Sequence, residues 1–218
     1  MRIAVLGTGE VGSAIAGKLV ALGHQVAMGS RTADNERASR WAAAAGPGAT
    51  HATFAGVAET AELVFNCTSG IVSAEVLHAA GAQNLAGKVL VDVSNALDFS
   101  RGRPPTLSIC NTTSVGEQLQ EAFPDVRVVK ALNTVNNQVM VDPGRLAGPH
   151  NLFICGNDAS AKSEVVDLLE SFGWPRGAVL DLCDITAARG LEMYVPLWLR
   201  LMGPVGGADF NIAVVRAG

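Results

Sequence analysis

Short, almost wholly apolar runs alternate along this chain with longer stretches whose apolar residues recur every three to four positions. The short runs, at residues 3–6, 25–29, 52–54, 63–67, 89–93, 126–131, 152–155 and 178–182, predict eight strands. The longer ones predict helices over 11–22, 34–44, 71–80, 115–122, 160–172 and 186–201. Strands that are apolar at consecutive positions are covered on both faces, and strands that alternate with helices are joined by crossovers. The expected architecture is therefore α/β, with a doubly wound, mostly parallel sheet.

Several boundaries carry their own signals. Gly23 stands where the first helix should end, Ser114 and Glu117 have the spacing of a capping box, and Asn157-Asp158 offers an N-cap for the helix that follows. The stretch 97–105 contains Arg101-Gly102-Arg103-Pro104-Pro105, fits neither a helix nor a central strand, and is expected to loop over the end of the preceding strand. The last helical stretch, from Leu191 to Met202, is apolar on nearly every face. Such a helix needs burial all round, in its own domain, against a substrate site or in a dimer interface. The predicted division is a nucleotide-binding domain over 1–183 and a C-terminal helix with its tail over 184–218, packing on the site or on a second copy.

Charge and cysteine content narrow the function classes. The 16 basic and 20 acidic residues are scattered, with no basic run or aromatic-basic patch suited to nucleic acid. No apolar run reaches the roughly 20 residues of a membrane span, and the apolar start at Met1 is too short for a signal peptide. Cys67, Cys110, Cys155 and Cys183 are too widely spaced for a metal site and read as reduced thiols, so the expected setting is cytoplasmic and no metal is expected.

The most informative motif is Gly7-Thr8-Gly9-Glu10-Val11-Gly12, directly after the first strand and opening the first helix. In that context it is a Rossmann-type phosphate-binding turn. Gly7 permits the tight turn, Gly9 lets the backbone approach a pyrophosphate, and Gly12 lets helix and strand pack closely. Free amides and the helix dipole then favour the phosphates. At the end of the second strand, where NAD-selective sites place an acid, the chain has Gly29-Ser30-Arg31-Thr32. Arg31 can fork to a ribose 2′-phosphate and the Ser30 and Thr32 hydroxyls can donate to it, so NADP is the expected nucleotide. Asp34 is the one nearby acid that argues for NAD.

Three further strand ends, Cys67-Thr68-Ser69, Ser94-Asn95 and Asn133-Thr134-Val135, turn small and polar after an apolar run. They would surround the nicotinamide and leave room for a second planar ring, with Asn95 and Asn133 either holding a carboxamide or making turns. No acid–base residue is evident. The four histidines fall away from these ends, and Tyr194 lacks a lysine at the usual spacing. Lys130 is the titratable group nearest to them, although strand alternation can turn it away. That absence suits hydride transfer between two stacked rings, in which proximity and orientation do most of the work.

The segments 7–12, 29–32, 92–95, 128–134 and 153–158 together resemble the coenzyme F420-dependent NADP oxidoreductases, and also the NADPH-oxidising domain of the STEAP metalloreductases. The resemblance extends to Ala187-Ala188-Arg189 and Pro196-Leu197-Trp198. It implies hydride exchange between NADP(H) and the deazaflavin coenzyme F420. Thr8, Glu10 and Val11 would lie near the pyrophosphate, and Ser30, Arg31 and Thr32 on the 2′-phosphate. Thr68, Ser69, Asn95, Asn133, Thr134 and Val135 would surround the rings, and the protein would be a homodimer packed through its C-terminal helices. The alternatives are an NADPH-dependent reductase of flavins (FMN or FAD) or of imines on the same fold, and a non-catalytic NADP-binding redox sensor.

Overall fold

The structure is a computed structural model that describes residues 1–217. The chain runs β1 (Arg2–Leu6), α1 (Glu10–Ala21), β2 (Gln25–Ser30), α2 (Glu36–Ala45), β3 (Ala49–Thr53), α3 (Phe54–Thr60) and β4 (Leu63–Asn66). It continues through α4 (Ser73–Ala80), α5 (Ala82–Leu85), β5 (Val89–Asp92), β6 (Leu97–Asp98), β7 (Thr106–Leu107), α6 (Val115–Ala122) and β8 (Arg127–Ala131). It closes with α7 (Asn137–Val141), β9 (Leu152–Cys155), α8 (Ala159–Phe172), β10 (Val179–Asp181) and α9 (Ala188–Val205).

Eight strands form one sheet in the order β10-β9-β8-β5-β4-β1-β2-β3. Strands β3 through β8 in that order pair in parallel, and β9 runs antiparallel to β8, with Lys130 opposite Cys155. The order reverses between β1 and β4, which opens a crevice at the carboxyl ends of the strands. Because β9 runs back beside β8, the intervening residues need no crossover. They stay at the carboxyl end of β8 and carry α7 there.

Alternate residues of each strand feed two separate apolar layers. Ile3, Val5, Val91 and Val129 pack under α1, α7 and α8 with Ile15, Met140, Val165 and Phe172. Ala4, Leu6, Leu90 and Val128 pack on the opposite face with Phe54, Leu77, Leu119, Ile185 and Leu191 of α3, α4, α6 and the entry to α9. This is the two-sided coverage that the continuous apolar runs predict.

All eight predicted strands and all six predicted helices are present, with shifted ends. The predicted strand at 52–54 lies instead at Ala49–Thr53, and Phe54 opens α3, a helix the hydrophobic pattern missed. Thr53 Oγ1 accepts from Gly56 N, an N-cap that ends the strand one residue before Phe54. The predicted helices at 71–80 and 186–201 each begin with a 3₁₀ turn and become α-helical at Ser73 and Ala188. The short helices α5 and α7 were also missed, and both are too brief to show a period. Within the predicted 97–105 loop, Leu97–Asp98 pairs with Thr106–Leu107 as a two-residue ribbon outside the main sheet. The caps at Ser114 and Asp158 form as expected, accepting from Glu117 N and Ala161 N. Gly23 follows α1 in a positive-φ conformation that a side chain would resist.

Candidate functional site

The crevice begins at the glycine turn. Gly7 has φ +116°, and a Cβ there would lie 2.8 Å from the Cys67 carbonyl oxygen. A Cβ on Gly12 would lie 2.4 Å from Gly7 O, so a side chain at either position would force the backbone apart. Gly9 is the N-cap of α1, makes no side-chain cap, and has open space where its Cβ would be. The first-turn amides of α1 therefore face a gap into which a negatively charged group fits.

Beside the turn lies a cavity of about 580 Å³. Gly7, Thr8, Ser30, Arg31 and Thr32 line it together with Asn35 and Arg37, and so do Thr68 and Ser69, which were expected around the rings. Arg37 escaped sequence reasoning because it belongs to α2 and not to the strand end, and the turn of the chain brings it round beside Arg31. No carboxylate lines this cavity, and Asp34, the acid that argued for NAD, is not among its residues. The Ser30 hydroxyl donates to Thr32 O at 2.5 Å, so its proton is engaged within the turn and its lone pairs are what it offers a ligand.

At the other end, two smaller cavities of about 310 and 250 Å³ meet at Val11, Val93, Asn95 and Leu97. Glu10, Asn133, Thr134 and Val135 line the first, and Cys67, Thr68 and Ser69 the second. Of the predicted site residues, Gly9 and Gly12 line none of these cavities and act through the backbone they shape. Asn95 and Asn133 form a reciprocal clasp: Asn95 Nδ2 donates to Asn133 O, and Asn133 Nδ2 donates to Asn95 Oδ1, each at 3.0 Å. The buried Asn133 Oδ1 and Thr134 Oγ1 have no hydrogen-bond partner within the protein. Leaving such atoms unpaired costs about 1–3 kcal/mol each, so their presence together at a cavity points to a polar ligand. Val195, Trp198 and Leu199 of α9 and Met140 of α7 supply the apolar walls of the larger of these two cavities. Those contributions were not assigned from sequence. The ionisable groups lining this end are Glu10 and the Cys67 thiol. Burial pushes that thiol far up, with the Asp92 charge adding to the effect, so it stays protonated.

A family described as NADP oxidoreductase, coenzyme F420-dependent, matches residues 2–96. A crystal structure from Arthrobacter sp. FB24, described as a candidate F420-dependent NADP-reductase, is 53% identical; the match covers 99% of this chain and all of that one, with a TM-score of 0.93. The chain belongs to the coenzyme F420-dependent NADP oxidoreductase family. It is an NADP-dependent oxidoreductase with a Rossmann-type fold. The chain is also similar to two curated proteins. Rat metalloreductase STEAP3 is 29% identical over 204 residues, which is 91% of this chain and 37% of that protein. The F420-dependent NADP reductase of Methanocaldococcus jannaschii is 30% identical over 122 residues, 55% of this chain and 52% of that protein. The oxidoreductase thus spans between a third and about half of the length of these curated relatives.

Lys130, the titratable group that sequence reasoning placed nearest the site, is wholly buried and lines none of the cavities. Strand alternation turns it into the α6-side layer, where it meets Asp92 Oδ2 and Glu192 Oε1, each at 2.7 Å, and donates to Ser94 O at 2.5 Å. Burial pushes the ammonium down, but the two carboxylates outweigh burial and hold its pKa above the usual lysine value. Glu192 also accepts from the amides of Val115 and Gly116 at the start of α6, while Asp92 Oδ1 accepts from Asn66 Nδ2 and from both the amide and hydroxyl of Ser94. Every charge in this cluster is met by a partner. Glu192 was legible as the one acid in an otherwise apolar stretch, a signal passed over because its partner is 62 residues away.

The outer side of α9 is not buried. Met193 is 45% and Leu197 56% exposed, so the apolar helix is covered on one side only. Among the described residues no helix is long and apolar enough to cross a membrane, and no group of three potential ligands could hold a metal ion.

Proposed function

We propose that this oxidoreductase moves a hydride between NADP(H) and coenzyme F420, with the adenosine end of the nucleotide in the 580 Å³ cavity and the rings in the 310 Å³ cavity. The observation that carries this reading is the acceptor end itself: mainly apolar walls, three unpartnered polar atoms on Asn133, Thr134 and Trp198, and no acid–base group beyond Glu10 and a protonated thiol. A bound nicotinamide supplies or takes the hydride. The protein binds, orients and excludes water. Arg31 and Arg37 hold the 2′-phosphate, with Ser30 and Thr32 completing the turn around it, and the first-turn amides of α1 hold the pyrophosphate. Asn133 Oδ1 would accept from the carboxamide nitrogen and Thr134 would donate to its oxygen, with the Asn95–Asn133 clasp holding the Asn133 amide in place. Val11, Met140, Val195 and Leu199 keep the faces of the rings dry, so that proximity lowers the barrier without a proton donor.

Residues 184–217 form, in this reading, a C-terminal element that packs on the sheet through Ile185, Leu191 and Glu192 and walls the acceptor end with Val195, Trp198 and Leu199. The exposed Met193 and Leu197 face of α9 packs against a second copy, giving a homodimer that works in the cytoplasm. The test is to mix purified protein with NADPH and coenzyme F420 and to follow the loss of deazaflavin absorbance, with FMN, FAD and a cyclic imine in parallel. Rapid reduction of F420 alone supports the reading. Preferred reduction of a flavin or of the imine transfers the activity to those acceptors, and NADPH binding with no acceptor reduced makes the protein a sensor.

A further inference from the structure

The cluster of Asp92, Lys130 and Glu192 goes beyond holding the fold together. Two carboxylates and one ammonium, each at most 1% exposed at its side chain, carry one net negative charge. The amides and hydroxyl that donate to them are dipoles and leave that charge in place. An apolar solution was available at this position, because Leu90 and Val128, two residues earlier on the same strands and the same face, are ordinary core residues. Keeping a charged cluster buried costs several kcal/mol per ion before pairing, so its charge needs an account.

Its location provides one. Asp92 is the last residue of β5 and Lys130 the next to last of β8. Ser94 is bonded to both and adjoins Asn95 in the chain, and Asn95 clasps Asn133. The net charge therefore lies one layer beneath the polar atoms that would hold the nicotinamide. When a hydride leaves a dihydronicotinamide, the carbon–hydrogen bond breaks, both electrons go with the hydrogen, and the ring left behind becomes a cation. The deazaflavin takes that hydride together with a proton from water. A fixed negative charge behind the ring favours the cationic, oxidised form over the neutral, reduced one, and the low dielectric of the layer lets it act across several ångströms.

We infer that Asp92, Lys130 and Glu192 are positioning residues whose net negative charge holds NADP+ more tightly relative to NADPH and so favours hydride donation from the bound nucleotide. This rests on the nicotinamide lying at the Asn95–Asn133 clasp, but not on the identity of the acceptor.

The experiment is direct titration of the purified protein with NADP+ and with NADPH, without any acceptor, for the wild type, Glu192→Gln and Asp92→Asn. Each substitution removes the net charge and keeps the size of the side chain. The expected result is a loss of NADP+ affinity relative to NADPH of about fivefold in either variant, following from a unit charge acting at about 10 Å through a partly screened interior. Glu117→Gln removes a carboxylate from the α6–α9 joint, where the partner Arg189 is 41% exposed to screening solvent, and should leave the ratio at its wild-type value. A purely structural role for the cluster would weaken both nucleotides together. An unchanged ratio in a variant that still binds both would overturn the inference, and Asp92→Asn carries the test if Glu192→Gln does not fold. A ratio that shifts as expected in the variants, alongside failure of the wild type to reduce F420, would overturn only the acceptor assignment.

Discussion

The two ends of the crevice are built in opposite ways. The adenosine end is the more polar of the two, holds Arg31 and Arg37 with no carboxylate, and is drawn from short segments within residues 7–76. The acceptor end is mainly apolar and draws on residues 10–11, 93–97, 133–140 and 195–199, segments that meet only once the sheet has formed. A phosphate is recognised by backbone amides and a guanidinium on a locally folded turn, so such a site can be encoded in a few consecutive residues. A flat ring needs walls on several sides, and walls come from different elements. The first end is thus set by local conformation and the second by topology.

Five substitutions test that contrast. The largest effect should come from Gly12→Ala, which puts a Cβ 2.4 Å from Gly7 O. Relief requires the turn to open, at a cost of up to about 3 kcal/mol, with a matching fall in NADPH affinity and in melting temperature. A variant that melts and binds like the wild type would show that the turn is looser than its geometry implies. Arg31→Ala should weaken NADPH and 2′,5′-ADP alike by about 2 kcal/mol while leaving NADH unchanged. Arg37→Ala should act in the same direction and less strongly, and equal losses for NADH would remove both arginines from the 2′-phosphate.

Asn133→Ala reverses that pattern. It should cost NADPH about 1 kcal/mol through the lost carboxamide contact and leave 2′,5′-ADP, which has no nicotinamide, bound as before. Loss of 2′,5′-ADP binding would mean that the two ends are coupled and not separately built. The smallest effect concerns the joint that carries the acceptor wall. The bond from Arg189, assisted by Ser114, holds the Glu117 carboxyl below its ordinary value of 4.5. A lowered folded-state pKa adds stability that is fully present above the unfolded value and disappears as pH falls through the folded one. The small gap in melting temperature between wild type and Glu117→Gln should therefore be open at pH 6 to 7 and close as the solution is acidified below pH 4.5. A gap independent of pH would show that the pair does not fasten α6 to α9.

The limits of sequence reasoning follow the same division. Periodicity located every strand of the main sheet, because a strand covered on both faces must be apolar throughout. It misplaced the strand before Phe54, where the apolar residues continue from strand into helix and only the Thr53 cap marks the change. It passed over α5 and α7, which are shorter than two turns. Lys130 was noticed, but its partners Asp92 and Glu192 lie 38 and 62 residues away in the chain, and nothing in local pattern joins them.

The sequence by itself determined the doubly wound sheet, the glycine turn and the arginine at the end of β2, since each depends on residues close together in the chain and on backbone conformations only certain side chains allow. Tertiary structure decided the rest. It turned Lys130 into the core between two carboxylates, and brought one side of an apolar helix over the acceptor end while leaving the other exposed. Those outcomes rest on which distant surfaces meet, and pairing between distant surfaces is settled by the summed burial and charge balance of the whole chain.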